Sequence, residues 1–407
     1  MEGVEVNNTE LEKQRLAERF AAYLKSNSFI LPPQELLYDP SKLCSFSGQG
    51  ERMVSDLLEV SKDFNKLLNH FLPLDQQVSM AQESFQRLKA EYMVTEEAEA
   101  RRIGMAQGSR RRGYFFDDRK FLGGLIPKEY YRTKATRLTT KGSTLHGMRK
   151  DVKSDLLKQI TNMFDCQIVD FDFAGAHAVI ATRLLGPSER LLRECVSSSS
   201  FWDDQTKIFM LRNGFSDLKI SQKECRAILK IMLYTSLNGG NPLSPARVFD
   251  NLGNFKFDLV TQVHQGLDFR QSADYANFCK VFAENPLIDE VKSLNEKCVS
   301  EWGDRVYTVD RKSPYKIESK HKGISRVLQS FEVMMLSVLV RACLSLGLLP
   351  LSLDHDGVLC LDINKTQITN LEEALTNQML DWSTYLLKRP IQVVAKNIWR
   401  DGLLEKM

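Results

Sequence analysis

The stretch that decides the fold is residues 164–186, Phe-Asp-Cys-Gln-Ile-Val-Asp-Phe-Asp-Phe-Ala-Gly-Ala-His-Ala-Val-Ile-Ala-Thr-Arg-Leu-Leu-Gly. Ile168–Phe171 is typical of a short strand, and Asp172 stands where that strand should stop. The small residues 174–176 then allow a helix to begin, with an apolar face within residues 178–185. A carboxylate at such a junction can hold a cation within reach of a ligand. Alternatively, Asp172 is a helix N-cap, which aspartate also favours.

A second acidic stretch lies far along the chain at residues 351–362, Leu-Ser-Leu-Asp-His-Asp-Gly-Val-Leu-Cys-Leu-Asp. Two short apolar runs flank the polar turn, which predicts a β-hairpin with carboxylates at its tip. Asp172 and Asp356 then both stand at the ends of predicted strands. Two converging carboxylates are what a pair of divalent ions about 3.5–4 Å apart requires. A long apolar helix is predicted before the hairpin, over residues 324–346, and a closing strand after it, over residues 389–399.

A helix with a chemically distinctive face is predicted between these stretches, in residues 221–240. Arg226, Lys230, Tyr234 and Asn238 recur every four residues, so they lie along one face of a helix. Two cations followed by a ring and an amide suit a triphosphate, then a sugar and a base. The alternative is a solvated stripe without a ligand.

Basic residues are concentrated before the first key stretch. Arg101–Ile160 holds 16 Lys or Arg against 5 Asp or Glu, whereas the rest of the chain holds 39 against 47. This asymmetry indicates a polyanionic partner, although a merely solvated face is the alternative. Aromatic residues interleave with the cations, as in surfaces that bind nucleic acid. The basic residues predicted to contact nucleic acid are Arg110, Arg111, Arg112, Arg132, Arg137, Lys141 and Arg149.

Composition narrows the class of protein further. The eight cysteines form no C-x-x-C pair and several lie in apolar runs, so we expect reduced, buried thiols and no zinc site. The acidic start argues against a signal or transit peptide. No apolar run reaches the roughly 18 residues of a membrane span. We therefore expect a soluble intracellular protein, in a compartment that the sequence does not indicate.

Taken together, the three stretches occur in the order of motifs A, B and C of family A DNA polymerases, which the chain resembles over residues 110–407. Residues 168–184 are similar to motif A, 226–239 to motif B and 355–357 to motif C. The tail, residues 389–399, resembles the closing strand of the same family. The phage-type single-subunit RNA polymerases are a more distant likeness.

The resemblance implies a role for each matched residue. Asp172 and Asp356 would be the catalytic carboxylates that bind two Mg²⁺ ions, with Mn²⁺ as a substitute. The incoming nucleotide would be bound by Arg226, Lys230, Tyr234 and His177. Besides the basic tract, the nucleic-acid contacts would come from Asn238, Gln329 and His355, with Gln329 reaching the minor groove of the template–primer duplex.

Three positions depart from the pattern of the family's DNA enzymes. Asn238 replaces the fingers-helix tyrosine, and His177 replaces the motif A glutamate that helps to exclude ribonucleotides. Gly357 replaces the glutamate that follows the motif C aspartate. These departures bear on sugar selection, template positioning and fidelity, and they leave the metal-binding pair intact.

The resemblance implies an α+β fold: a right-hand polymerase-like palm with an antiparallel sheet, helical fingers and a reduced thumb-like region. We expect a helical, thumb-like region in residues 1–100. The basic tract and first part of the palm would occupy 101–186, and the helical fingers 187–300. The second part of the palm and the closing strand would occupy 301–407.

The expected function is template-directed DNA synthesis by a monomer that uses a primed template and nucleoside triphosphates. The roughly 100 residues before the basic tract leave no room for a proofreading exonuclease. One alternative is an RNA polymerase or primase on the same scaffold. The other is a non-catalytic nucleic-acid-binding protein, although converging carboxylates would repel the phosphates that such a protein binds.

Overall fold

The computed structural model describes residues 73–84, 125–126, 130–132, 138–140, 144–146, 148, 150–184, 190–198, 200–213, 222–237, 280–281, 283–302, 323–354, 357–387 and 389–407, together with 69 and 86. The chain divides into two compact units. The first unit is Met1–Ala174 with Glu332–Met407, and the second is Gly175–Phe331.

The first unit is built on an open, antiparallel sheet of five strands. They are β3 (Gln167–Phe173), β4 (Leu349–Asp354), β5 (Gly357–Asp362), β6 (Val393–Arg400) and β7 (Leu403–Lys406). Across the sheet the strands lie in the order β4-β5-β3-β6-β7. The middle strand, β3, is buried on both faces because Ile168, Val169 and Phe171 are fully enclosed. A separate short hairpin pairs β1 (Tyr130–Arg132) with β2 (Leu138–Thr140).

The outer side of β6 is closed by two different elements. β7 pairs with Asn397–Arg400, and among the described residues no strand pairs with the first half of β6 on that side. Helix α8 (Ile368–Leu387) supplies the missing acceptors there: Thr376 Oγ1 accepts from Val393 N at 3.1 Å and Glu372 Oε1 from Ala395 N at 2.6 Å. These bonds satisfy backbone donors that an open sheet edge would otherwise leave unpaired.

Helix α1 (Lys150–Phe164) packs on the sheet face that carries Asp170 and Trp399. Ser154 Oγ accepts from Trp399 Nε1 at 3.0 Å, which fixes the helix against β6. A helix over residues 74–84 begins directly after Pro73 and contacts α1 through a hydrogen bond from Ser84 to Asp155. The sheet face is thereby covered by residues that come before β3 in the chain.

The second unit is helical in its described part. It contains α2 (Ala176–Leu184), α3 (Arg190–Ser197), α4 (Phe201–Asn213), α5 (Gln222–Leu237) and α6 (Pro286–Trp302). Glu290 of α6 accepts hydrogen bonds from Leu191 N and Leu192 N, both at 2.9 Å. A carboxylate at that place satisfies the free N–H groups of α3 and complements its dipole. Helix α7 (Gly323–Ser345) continues from this unit into the first.

Several sequence expectations are confirmed at the level of fold class and elements. The chain is α+β with an antiparallel sheet, and the predicted hairpin, apolar helix and closing strand are β4–β5, α7 and β6. Helix α1, strand β7 and the β1–β2 hairpin were not anticipated. Five cysteines are free thiols, and all of them except Cys195 are buried: Cys166, Cys195, Cys225, Cys343 and Cys360. Most of the predicted thumb-like region lies outside the described residues.

Candidate functional site

Asp172 lies at the end of the central strand, one residue before β3 stops. Its Cα pairs with Gly357 of β5 on one side and with Val394 of β6 on the other. The side chain is 2% exposed, and its Oδ1 accepts a hydrogen bond from Phe173 N at 2.9 Å. The following helix begins at Ala176, so Asp172 is not its N-cap. The N-cap interpretation is therefore wrong, because the side chain belongs to the strand.

The second oxygen of Asp172 faces a cation. Lys396 Nζ forms an ion pair with Asp172 Oδ2, and the Lys396 side chain is 54% exposed. This lysine comes from a β-bulge in β6, where the pairing with β3 shifts between Asp170 and Phe171. The sequence does not predict this contact, because nothing in residues 389–399 marks Lys396 as different from other polar residues.

Gly357 is required at the start of β5 by the close approach of β3. A Cβ at this position would overlap the carbonyl oxygen of Phe171 and lie 3.4 Å from Asp172 Oδ1. Gly357 is paired with Asp172 on one side and with Asp354 on the other. A side chain at position 357 is therefore incompatible with this packing.

The two neighbouring carboxylates have protein partners. Asn397 Nδ2 donates to Asp170 Oδ2 at 2.8 Å, and Lys153 Nζ donates to Asp354 Oδ2 at 2.7 Å. His146 Nδ1 lies 3.8 Å from Asp354 Oδ1 and contacts the carbonyl oxygen of Leu353. Burial raises the pKa of Asp170, while the hydrogen bond from Asn397 opposes that rise. Asp170 and Asp354 therefore each have a hydrogen-bonding partner within the protein, which indicates a structural role for these two carboxylates beside Asp172.

Asp172 fits the role of one carboxylate in a divalent-metal site. It is buried, it stands at a strand end, and its Oδ2 already holds a cation in the form of the Lys396 ammonium. Within the described ranges, no group of three or more His, Cys, Asp and Glu is arranged to hold a metal ion. Asp356 and His355, the other predicted residues of this site, lie outside the described residues.

In the second unit, helix α5 carries Arg226, Lys230 and Tyr234 at the predicted four-residue spacing. Arg226 NH1 donates to Asp203 Oδ1 of α4 at 3.0 Å, and both side chains are about 40% exposed. Lys230 Nζ lies 5.4 Å from the centre of the Trp202 ring, also on α4. Burial lowers the pKa of Lys230, and the nearby Arg226 lowers it further. Two cations are thus held side by side, one by a carboxylate and one by an aromatic face.

His177 and Tyr234 come together from different helices. Their ring centres are 6.4 Å apart with a 51° angle between the planes, and His177 is 9% exposed. Gly175 lies beside them with a φ of +63°, and a Cβ there would stand 3.9 Å from the Tyr234 hydroxyl. The two residues that the sequence analysis assigned to the sugar are therefore neighbours within the second unit.

No family model matches the chain, and no curated protein matches it.

Of the remaining residues predicted to contact nucleic acid, two lie within the described residues, Gln329 and Arg132. Gln329 is 6% exposed and donates to Ser325 Oγ at 3.1 Å within α7, which places it among buried residues. Arg132 lies in β1. The other predicted nucleic-acid contacts lie outside the described residues: Arg110, Arg111, Arg112, Arg137, Lys141, Arg149 and Asn238. In the part of the chain that the structure describes, no helix has the length and apolar character needed to cross a membrane.

Proposed function

We propose that this chain is a template-directed nucleotidyltransferase, a DNA polymerase of the family A type. One observation carries the proposal: Asp172 is buried at the end of the central antiparallel strand, in register with Gly357, the residue that follows Asp356. Asp172, the motif A carboxylate of the resemblance, thus lies beside the residue that follows the motif C aspartate in the sequence. An antiparallel sheet with the motif A carboxylate at the end of its central strand is consistent with the polymerase palm that the resemblance implies.

Asp172 and Asp356 are the residues proposed to hold the divalent ions. When bound, the ions supply activation of the primer 3′-hydroxyl and neutralisation of the developing phosphate charge. Positioning and charge stabilisation then account for most of the catalysis, and the protein contributes no covalent step. Lys153 holds Asp354, and Asn397 holds Asp170, so these neighbours maintain the sheet around the reactive carboxylate.

The α5 residues are proposed to bind the nucleotide. Arg226 and Lys230 supply two positive charges for the triphosphate, while Tyr234 and His177 supply rings for the sugar. Asp203 competes with the triphosphate for Arg226, because a phosphate oxygen and a carboxylate oxygen accept the same guanidinium donors. Trp202 reports on Lys230, since movement of the ammonium from its ring changes the surroundings of the indole.

Primer extension with dNTPs and NTPs in parallel, first with Mg²⁺ and then with Mn²⁺, tests the proposed function. We expect dNTP-dependent extension that Asp356→Ala abolishes and that Asp354→Asn, the neighbouring carboxylate, largely retains. Binding of primed DNA should survive in both variants, because a metal ligand is not a phosphate contact. Extension by Asp356→Ala at the wild-type rate would remove the proposed catalytic pair.

DNA binding tests the proposed role of the basic tract independently. Affinity for primed DNA should fall steeply with salt, because lysines and arginines release counterions from the phosphates. Replacing Arg110, Arg111 and Arg112 together with alanine should flatten the plot of log affinity against log salt. An unchanged slope would mean that the nucleic acid is bound elsewhere.

A second candidate function, RNA synthesis, is favoured by one specific observation. His177 stands 6.4 Å from Tyr234 and carries ring nitrogens that can bond a 2′-hydroxyl, whereas the family's DNA enzymes have a glutamate there. We expect a preference for dNTPs that is weaker than usual, and His177→Ala should raise the use of NTPs relative to dNTPs. If the wild type prefers NTPs, or if the alanine variant loses them, His177 reads the ribose and RNA synthesis becomes the proposed function.

A further inference from the structure

Strand β6 contains one residue more than β3 at the point where the two strands pass Asp172. Asp170 pairs with Asn397, and the next residue, Phe171, pairs with Ala395, so Lys396 is the extra residue between them. A β-bulge of this kind interrupts the alternation of side chains and redirects the extra residue. Lys396 is thereby directed to the Asp172 carboxylate, and its ammonium pairs with Oδ2.

The surroundings of Asp172 leave this pair open to exchange. Asp172 is 2% exposed, yet the Lys396 side chain that meets it is 54% exposed. Gly357, directly opposite, adds no side chain to the carboxylate. A buried carboxylate without a cation is costly, so Lys396 stabilises the ion-free protein. Because the lysine stem is long and half-exposed, the ammonium can leave for water without moving the strand.

We infer that Lys396 is a resident counter-cation of Asp172, which a divalent ion must displace before it can bind there. The inference rests on the proposed function only in taking Asp172 as a metal ligand. An ammonium and a metal ion cannot share the same carboxylate oxygen, and after displacement the lysine charge still repels the ion. Lys396 therefore sets the metal concentration that the protein needs.

Direct Mn²⁺ binding to the full chain, followed by the electron paramagnetic resonance signal of the free ion, tests the inference without reference to activity. Lys396→Met should tighten binding by about five- to tenfold, the effect of removing one nearby positive charge at solvent-like dielectric. Lys396→Arg is the matched control, because it keeps the charge and should bind Mn²⁺ as weakly as the wild type. In an Asp172→Asn background, Lys396→Met should make no difference.

A measurement on the wild type alone covers the case in which a Lys396 variant does not fold. Acetylation of Lys396 by a limiting amount of acetic anhydride, read by mass spectrometry, should increase when Mg²⁺ is added. Lys292, paired with Asp289 on an exposed helix surface, is the internal reference and should not respond. A Lys396 labelling rate that does not change with Mg²⁺, or equal Mn²⁺ affinities in Lys396→Met and wild type, would overturn the inference.

The outcomes separate this inference from the proposed function. If Lys396→Met binds Mn²⁺ more tightly in an Asp172-dependent way but no variant extends a primer, Lys396 is a counter-cation and polymerase activity is refuted. If the wild type extends primers while Lys396→Met binds Mn²⁺ with the same affinity, the polymerase stands and the role of Lys396 is refuted.

Discussion

The two ends of the five-stranded sheet each bury one aspartate, and they satisfy its charge by different means. At the end that contains Gln167, which we call the turn end, Asp362 is 1% exposed. It accepts hydrogen bonds from Gln167 Nε2 at 2.8 Å, Asn364 N at 2.9 Å and Thr366 N at 2.7 Å. At the opposite end, which we call the carboxylate end, Asp172 is equally buried. It accepts a backbone hydrogen bond from Phe173 N and faces the ammonium of Lys396.

The difference separates a structural carboxylate from an exchangeable one. The donors to Asp362 are fixed in the fold, because two are backbone N–H groups and Gln167 is itself held by Arg400 Nε at 3.1 Å. The cation at Asp172 is the end of a long, half-exposed side chain. Full satisfaction by amides makes a carboxylate part of the fold, whereas a removable cation leaves it available to a ligand.

The largest effects are expected when the negative charge of Asp172 or that of Asp362 is removed by substitution with asparagine. Asp172→Asn should lower the rate of nucleotide addition by a factor of roughly a thousand or more while changing the free energy of unfolding by less than about 1 kcal/mol. Asp362→Asn should lower the free energy of unfolding by about 2 kcal/mol, because an amide nitrogen would face the donors that a carboxylate now satisfies. Urea unfolding and primer extension measure the two quantities.

The comparison fails if the two variants exchange their behaviour. Loss of stability in Asp172→Asn with wild-type extension would make Asp172 a structural residue. Loss of extension in a fully stable Asp362→Asn protein would assign a role in the reaction to the turn end.

How far the sequence predicts the fold depends on whether a feature leaves a local pattern in the sequence. The β4–β5 hairpin follows from two apolar runs around a polar turn, and the α5 stripe follows from four-residue spacing, so both were predictable. Lys396 was not, because one extra residue in β6 reverses the side-chain parity, and a bulge leaves no mark in composition. Lys153 and His146 were also missed, since they reach Asp354 from about two hundred residues away.

Glycines at the two ends of the sheet offer the next test. Gly357→Ala should lower the free energy of unfolding by about 3 kcal/mol, because the new Cβ would overlap a β3 carbonyl oxygen and backbone must move. At the turn end, the new Cβ of Gly402→Ala would have no neighbouring atom closer than 3.9 Å. This substitution should lower the free energy of unfolding by only about 1 kcal/mol, because an alanine must then adopt a φ of +74°. Urea unfolding of both variants gives the ranking, and equal losses would show that β5 can move away from Asp172.

The ion pairs at the two ends should differ by a smaller margin. Lys153 is 11% exposed beside Asp354, and Lys153→Met should lower the free energy of unfolding by about 1–2 kcal/mol. Lys365 pairs with Asp165 and, at 3.3 Å, with Asp401, all more exposed, so Lys365→Met should lower it by about 0.5 kcal/mol. Raising the salt concentration to 1 M should erase the second loss and leave most of the first. If salt reduces the loss of unfolding free energy equally in both variants, the Lys153–Asp354 pair is as exposed to solvent as the Lys365 pairs.

The smallest expected effect concerns Asp170, the carboxylate between the two ends. Burial raises its pKa above the ordinary 3.8, so the folded protein must ionise a buried group that the unfolded chain ionises more easily. Stability should therefore fall as the pH rises through the interval between 3.8 and the raised pKa, and it should stay lower at neutral pH.

The substitution Asp170→Asn tests this expectation, because it keeps an oxygen that can accept the hydrogen bond from Asn397 and removes the negative charge. The variant should gain up to about 1 kcal/mol at pH 7 and nothing below about pH 3, where wild-type Asp170 is protonated in both states. Urea unfolding at several pH values measures the difference, and a variant that is less stable than the wild type at pH 7 would mean that Lys153 and Lys396 hold Asp170 as an ionised, stabilising group.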